Sequence, residues 1–352
     1  MKKKVLLGLS GGVDSAVAAH ILINQGYLVE AAFMHNWHND SNSQCQSSAD
    51  FEVAAKVADF LKINLHSIDF STEYFYEVFT PFLKSLQQGL TPNPDIFCNK
   101  NIKFKYLLKY AINHKFDFIA TGHYAKIQKK EQFHLYQAKD KNKDQTYFLH
   151  QLSQLQLEKT IFPLADIEKK QVKIYAKNIG LPNYDKKESM GICFIGQNNF
   201  KQFIKPHIKN RPGNILTTSG EKLGAHEGLA FYTIGQRKGI GIGGNSKFSD
   251  NCWYVVKKAN NDLIVSQNPK HHLLYSNKLL CEKIHWISEP KRNEQITCRI
   301  RHRQPLQKCF VEHNVVTFAD KQRAIAPGQF VVFYDNEKCL GGAMITKNLI
   351  DS

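Results

Sequence analysis

The chain has 352 residues, more than one small core needs, with 42% hydrophobic and 22% charged residues, which excludes a disordered chain. Lys and Arg outnumber Asp and Glu 47 to 31, a net charge of +16. That balance favours a polyanionic partner, nucleic acid before membrane.

Met1-Lys2-Lys3-Lys4 followed by an apolar stretch at 5–9 has the outline of a signal peptide, but Ser10-Gly11-Gly12 and Asp14 interrupt it. No window holds the ~18 apolar residues a membrane span needs, so a cytoplasmic protein without a membrane partner is expected. Short apolar runs at 5–9, 29–34, 65–70 and 116–120 predict strands. Helical patterns at 13–25, 51–61, 102–113 and 168–180 alternate with them. Such alternation predicts an N-terminal doubly wound parallel α/β sheet over residues 1–205. After Pro206 the texture changes. Arg211-Pro212-Gly213 reads as a boundary, and eight glycines fall between 220 and 244. Period-two runs at 253–256, 263–266, 296–300, 315–318 and 329–334 follow, with Pro327-Gly328 and Gly341-Gly342 as punctuation. The expected architecture is a small central domain at 206–272 and a C-terminal antiparallel β-barrel at 273–352.

Ser10-Gly11-Gly12-Val13-Asp14-Ser15 joins the first strand to the first helix. Gly11 and Gly12 let the backbone turn tightly and approach an anion. The free N–H groups of a helix N-terminus favour negative charge, and Ser10 and Ser15 add hydroxyl donors. Asp14 is the odd member, because a carboxylate beside phosphates is repulsive unless a cation or donor intervenes. The loop is neither a Walker motif nor Gly-x-Gly-x-x-Gly.

Eight cysteines (45, 98, 193, 252, 281, 298, 309, 339) are scattered without a Cys-x-x-Cys pair, so neither a disulfide framework nor a metal site is expected. Two stand out. Asn93 as N-cap and Pro94 at the first helical position put Asp95 and Cys98 on one face of a helix start. The helix terminus and the nearby Lys100 and Lys103 favour a thiolate at Cys98. Cys193 lies in Met190-Gly191-Ile192-Cys193-Phe194-Ile195-Gly196, an apolar run bracketed by glycines. The other six are expected to be small buried hydrophobes.

The loop at 10–15 resembles the signature of the PP-loop ATP pyrophosphatases, which cleave ATP between its α- and β-phosphates. Further motifs follow in order: Phe33-Met34 with Asn36-Trp37, residues 91–99, Ala120-Thr121-Gly122-His123-Tyr124, Lys143-Asp144-Gln145, and residues 191–196. Gly235-Gln236-Arg237-Lys238-Gly239, residues 253–256, 301–304 and 339–342 complete the set. Together they resemble the tRNA-specific 2-thiouridylase family along nearly the whole chain. The resemblance implies adenylation of the wobble uridine O2 by ATP, with Mg²⁺ on the phosphates, and then replacement of that oxygen by sulfur. It implies that Gly8, Leu9, Ser10, Gly11, Gly12, Val13, Asp14, Ser15, Met34 and Gly122 hold ATP. It further implies that Cys193 carries a persulfide received from a sulfur-relay protein, that Cys98 attacks or resolves it, and that Asp95 is the acid/base group. By the same resemblance Asn93, Pro94, Asp95, Lys143, Asp144, Gln145, Arg301 and His302 are expected to touch tRNA, of the Glu, Gln and Lys acceptors; the protein is expected to be a monomer. Two departures stand out: the family's acidic stretch after Trp37 is replaced by His38-Asn39-Asp40-Ser41-Asn42-Ser43, and residue 302 is His where the family usually has Tyr. The rival reading is another adenylating PP-loop enzyme on tRNA, such as a lysidine synthetase, which needs no paired cysteines.

Overall fold

The computed structural model describes residues 2–37, 46–187, 200–209, 211–242, 251–292 and 294–350. Its first part contains the strands β1 (Lys4–Gly8), β2 (Leu28–His35), β3 (Leu65–Asp69), β4 (Phe118–Thr121), a hairpin of β5 (Ala125–Lys129) and β6 (Phe133–Gln137), and β7 (Thr160–Ile161). Five of them form one all-parallel sheet in the order β3-β2-β1-β4-β7. The central strands β1 and β4 read as apolar runs because both faces are covered, whereas the edge strand β3, Leu65-His66-Ser67-Ile68-Asp69, mixes in polar residues. Leu6, Ala32 and Ile119 enter one core, while Val5, Leu7, Ala31 and Ala120 enter the opposite one. Helix α1 (Val13–Asn24) is buried at Val13, Ser15, Ala16, Val17, Ala18, Ala19 and Leu22, and its His20 bonds Tyr175 of the helix Lys169–Asn178. The order reverses between β1 and β4, and ligands of such sheets bind outside the carboxyl ends of the strands at that switch point. The loop at 10–15 lies there.

The second part pairs β8 (Gly213–Thr217), β9 (Lys222–His226), β10 (Tyr254–Ala259) and β11 (Asp262–Ser266) in the order β10-β11-β8-β9, around a core of Ile215, Val255, Leu263 and Val265. The third part holds β12 (Tyr275–Cys281), β13 (His285–Trp286), β14 (Ile296–Arg299), β15 (Gln307–Glu312), β16 (Val315–Arg323), β17 (Phe330–Asp335) and β18 (Lys338–Leu349). Pairing runs β12-β16-β15-β14-β17-β18 and returns to β12, closing an antiparallel barrel. The fold class is therefore a parallel α/β unit, a small β unit and a C-terminal β-barrel. The hairpin β5–β6 leaves the parallel sheet and joins the barrel, pairing Leu135 and Tyr136 with Cys339 and Lys338. Gly341-Gly342 does not end a strand, as its punctuation reading implied, but lies inside β18. A Cβ at Gly341 would meet the His285 carbonyl oxygen at 2.0 Å, and one at Gly342 the Val331 carbonyl oxygen at 2.5 Å, so glycine marks close strand approach here. No helix among the described residues is long and apolar enough to cross a membrane.

Candidate active site

The loop after β1 is built from its own short-range bonds. Ser10 N donates to Ser15 Oγ at 3.3 Å, Gly12 N to Ser10 Oγ at 3.4 Å, and Ser15 Oγ to the Gly12 carbonyl at 3.0 Å. Gly11 has φ +72°, and a Cβ there would meet the Asp50 carbonyl oxygen at 2.4 Å. Gly12 caps α1 without a side-chain bond, leaving the first helical N–H groups facing the cleft. Gly122, at the end of β4, is required for approach rather than for a turn: its Cβ would stand 2.7 Å from Ser15 N. The methyl of Met34 lies 3.5 Å from a Cβ built on Gly8, so the two adjoin at the cleft floor.

Asp14 is neutralised from two sides. Lys169 Nζ reaches its carboxylate oxygens at 2.6 and 2.7 Å, and the Tyr124 hydroxyl donates to Oδ1 at 2.9 Å. Lys169 is only 7% exposed. Asn183 and Lys186 both donate to the Gly11 carbonyl, at 3.0 and 3.2 Å, and Lys186 also pairs with Asp50. The resulting cleft, about 330 Å³, is lined by Gly8, Gly12, Asp14, Ser15, Met34 and Gly122 together with Lys103, Lys143, Lys169, Lys173, Lys186, Lys187, His302 and Arg303. A concentration of cations around open helix N–H groups suits a polyphosphate. Sequence reasoning missed Lys169, Lys173 and Lys186. One signal was available: Lys169, Lys170 and Lys173 crowd the N-terminal end of a helix, where the dipole disfavours cations. His123, in the cleft wall, is held well below the usual imidazole range by burial and then by Lys103, so it stays neutral.

No group of three or more His, Cys, Asp or Glu side chains that could hold a metal occurs among the described residues. Since Lys169 already engages Asp14, the residues suit Mg²⁺ that arrives on the phosphates rather than in a protein cage.

The helical run that brings Lys103 to the cleft begins after Asn93. Asn93 caps the helix Pro94–Phe97, accepting from Asp95 N at 3.2 Å with Pro94 in the first turn, as the sequence predicts. The chain continues without a break through a π-helical stretch, Cys98–Tyr106, into Leu107–Asn113. Three bonds clamp the approach to it. Thr91 N donates to the Pro327 carbonyl at 2.8 Å, Gln329 Nε2 to the Thr91 carbonyl at 2.7 Å, and the hydroxyls of Thr91 and Thr233 are 2.9 Å apart. All three parts of the molecule therefore meet at this loop. Cys98 is 1% exposed, in the apolar cluster that holds Ile96, Ile102 and Phe104. Lys100 reaches Gln151 at 3.4 Å, while Lys103 lines the cleft. Cys193 and the whole 191–196 motif lie outside the described residues, as does the 38–43 departure.

Lys143, Asp144 and Gln145 split by role. Lys143 faces the cleft. Asp144 is 1% exposed and accepts from Thr146, Gln137 and Ala138, with Arg299 at 3.7 Å. Burial raises its pKa despite these donors. Gln145 exchanges two bonds of 2.9 Å with the backbone of Tyr124. From the barrel, His302 Nε2 donates to the Asp144 carbonyl at 3.1 Å and its ring packs 4.5 Å from Phe148. Burial holds it below the usual imidazole range. Arg301 donates to the carbonyls of Ala324 and Ile234, tying the barrel to the central unit. Cys281, Cys298, Cys309 and Cys339 are buried; desolvation pushes up the thiols of Cys281, to about 12, Cys298 and Cys339, while Cys252 is exposed.

Comparison with known proteins agrees with this division. Residues 3–197 match the family described as tRNA methyl transferase HUP domain, 201–267 its PRC-barrel domain, and 276–345 an aminomethyltransferase beta-barrel domain. The tRNA-specific 2-thiouridylase MnmA of Legionella pneumophila (strain Lens) is 48% identical over 98% of this chain and 99% of its own length. Its counterparts in Marinomonas sp. (strain MWYL1) and Pseudomonas fluorescens (strain SBW25) are 44% and 46% identical, over 97% and 98% of this chain and 91% and 95% of theirs. With that identity over nearly its whole length, the chain belongs to the tRNA-specific 2-thiouridylase family.

Proposed function

We propose that this protein converts the wobble uridine of tRNA to 2-thiouridine, consuming ATP and releasing AMP and pyrophosphate. The observation that carries the reading is one cleft with two walls. A phosphate cradle of Ser10, Gly12, Ser15 and their lysines faces Lys103, on the helix of Cys98, and Lys143 and His302. The reading places ATP phosphates on the N-terminus of α1, with Gly8, Leu9, Gly11, Val13 and Gly122 shaping the backbone and Met34 against the adenine. Mg²⁺ would offset phosphate charge. The uridine enters over Asn93, Pro94 and Asp95. Its O2 bonds to the α-phosphorus as the α–β bridging bond breaks, pyrophosphate leaves with the electron pair, and Asp95 takes the N3 proton. A uracil carbonyl has no usable leaving group; the adenylate supplies AMP. The terminal sulfur of a Cys193 persulfide then attacks C2 and AMP departs. Cys98 attacks the inner Cys193 sulfur, forming a Cys98–Cys193 disulfide and leaving both electrons of the broken S–S bond on the transferred sulfur. A thiol reductant reopens the disulfide. Lys143 and Arg301 contact the tRNA; Asp144, Gln145 and His302 hold that contact in place.

The +16 charge supports the polyanionic substrate. The proposal extends to the Glu, Gln and Lys acceptors, a persulfide-relay protein as sulfur donor, a monomer, and action in the cytoplasm. Mass spectrometry of tRNA from cells lacking the protein tests it. Loss of the 2-thio group alone at the wobble uridine is expected; an unchanged 2-thiouridine level contradicts the reading.

A further inference from the structure

The barrel sends one arginine into the nucleotide cleft. Arg303 follows β14 and lines the same cleft as Gly12, Ser15, Lys169 and Lys173. Its backbone has φ +65°, in the left-handed region that an arginine adopts only when its surroundings impose it. Those surroundings are visible. Gln304 Oε1 accepts from Ile300 N at 2.9 Å, Gln304 N donates to the Arg301 carbonyl at 3.2 Å, and Gln304 Nε2 donates to Gln322 at 3.0 Å. His302 is tied to the Asp144 carbonyl at 3.1 Å. The residues on both sides of Arg303 are thus pinned, and the strained turn turns its side chain outward.

The neighbouring arginines each have a partner within the protein. Arg299 stands 3.7 Å from Asp144 and over the Tyr334 ring, Arg301 donates to two carbonyls, and Arg323 lies over Tyr254. Among the described residues the exposed Arg303 guanidinium has no ion pair and no hydrogen bond, so its donors remain available to a ligand. Two other cleft cations are paired within the protein, Lys169 with Asp14 and Lys186 with Asp50.

We propose that Arg303 is a catalytic residue supplied by the barrel, binding ATP phosphates from the side opposite α1; this rests on the reading that the cleft holds ATP. As O2 bonds to the α-phosphorus and pyrophosphate leaves with the bridging electron pair, negative charge grows on the phosphate oxygens. A planar guanidinium can donate to two of them at once. Arginines delivered from a separate element play this part in other phosphoryl-transfer enzymes. The consequence is structural as well: the nucleotide site is complete only with the barrel docked.

The test uses the full-length protein and two variants. Arg303→Gly removes the guanidinium while suiting the left-handed backbone, so its fold is retained or stabilised. Arg303→Lys keeps the charge without the fork. Calorimetry with α,β-methylene-ATP, without tRNA, should show Kd raised about tenfold in the glycine variant and less in the lysine variant. tRNA-stimulated pyrophosphate release should fall about 100-fold, and tRNA affinity should stay within about twofold, as should every readout for the exposed control Arg292→Ala. Unchanged analogue affinity and release rate would overturn the proposal. So would a loss confined to tRNA affinity, which would assign the guanidinium to the RNA backbone. If the wild-type protein itself binds no analogue, the ATP reading fails before Arg303 is in question.

Discussion

The two walls of the cleft are made in different ways. The phosphate wall is mostly local: residues 8–15 bond among themselves, and Gly122 and Lys169 close on them at contact distance. The target wall is assembled: Lys143, Gln145 and the barrel's His302 meet there, with Lys103 on the helix that follows the Thr91 clamp, held by bonds to the barrel and the central unit. When docking loosens, a local wall should keep its cradle and lose only the Arg303 contact; an assembled one should come apart. Activation of ATP and placement of the uridine are therefore separable by mutation.

The sharpest break is Gly122→Ala. Its new methyl would sit 2.7 Å from Ser15 N, closer than side chains tolerate. Calorimetry should show ATP affinity falling at least ~100-fold with about 1–3 kcal/mol of lost stability, and tRNA affinity nearly unchanged. Lys169→Met comes next. It leaves Asp14 facing the phosphates with Tyr124 alone, and the KM for ATP in pyrophosphate release should rise roughly 10- to 100-fold, the loss of a partly buried charge pair.

Acid should act on the packing of the helix Thr146–Leu149 against the barrel through His150. This side chain is buried beneath Gly342 and against Phe330, and desolvation lowers its pKa to about 3. The unfolded chain takes up the proton near pH 6.5 while the folded one refuses it. Stability is then fully present above pH 6.5 and falls by about 1.4 kcal/mol per unit as pH drops toward 3. Urea unfolding at pH 7 and 5 should differ by about 2 kcal/mol from this residue, and His150→Gln should remove most of that difference. The mildest test is Gln329→Ala, which deletes the bond to the Thr91 carbonyl. About 1 kcal/mol of stability should be lost in urea melts. Thiolation should slow a few-fold, with the Kd for ATP unchanged.

The same contrast explains what could be read in advance. Strands β1 to β4, helix α1 and the Asn93–Pro94 cap were legible because each is written in neighbouring residues: apolar runs, a cap, a glycine pair. The hairpin β5–β6 was not, since Lys130-Glu131-Gln132 turns it without Gly or Pro and its partner strand lies about 200 residues on. Lys169 was hidden for the same reason: 155 residues separate it from Asp14. Asp144 sits in a run of charged residues that suggests a solvated tip, yet its carboxylate turns inward to Thr146 and Arg299. Cys98 was placed correctly on its helix start, but its burial depends on Ile102 and Phe104 from the following turns and on the helix packing behind them.

The division into an ATP half and a sulfur half is tested most directly by Cys98→Ser, assayed on one tRNA preparation for both products. Pyrophosphate release stimulated by tRNA should stay within about threefold of wild type, because the phosphate wall is untouched. 2-Thiouridine, measured by mass spectrometry, should fall by about 10³-fold or more, the loss expected on removing a nucleophile. Thiolation at the wild-type rate would contradict the account, and so would loss of both products together.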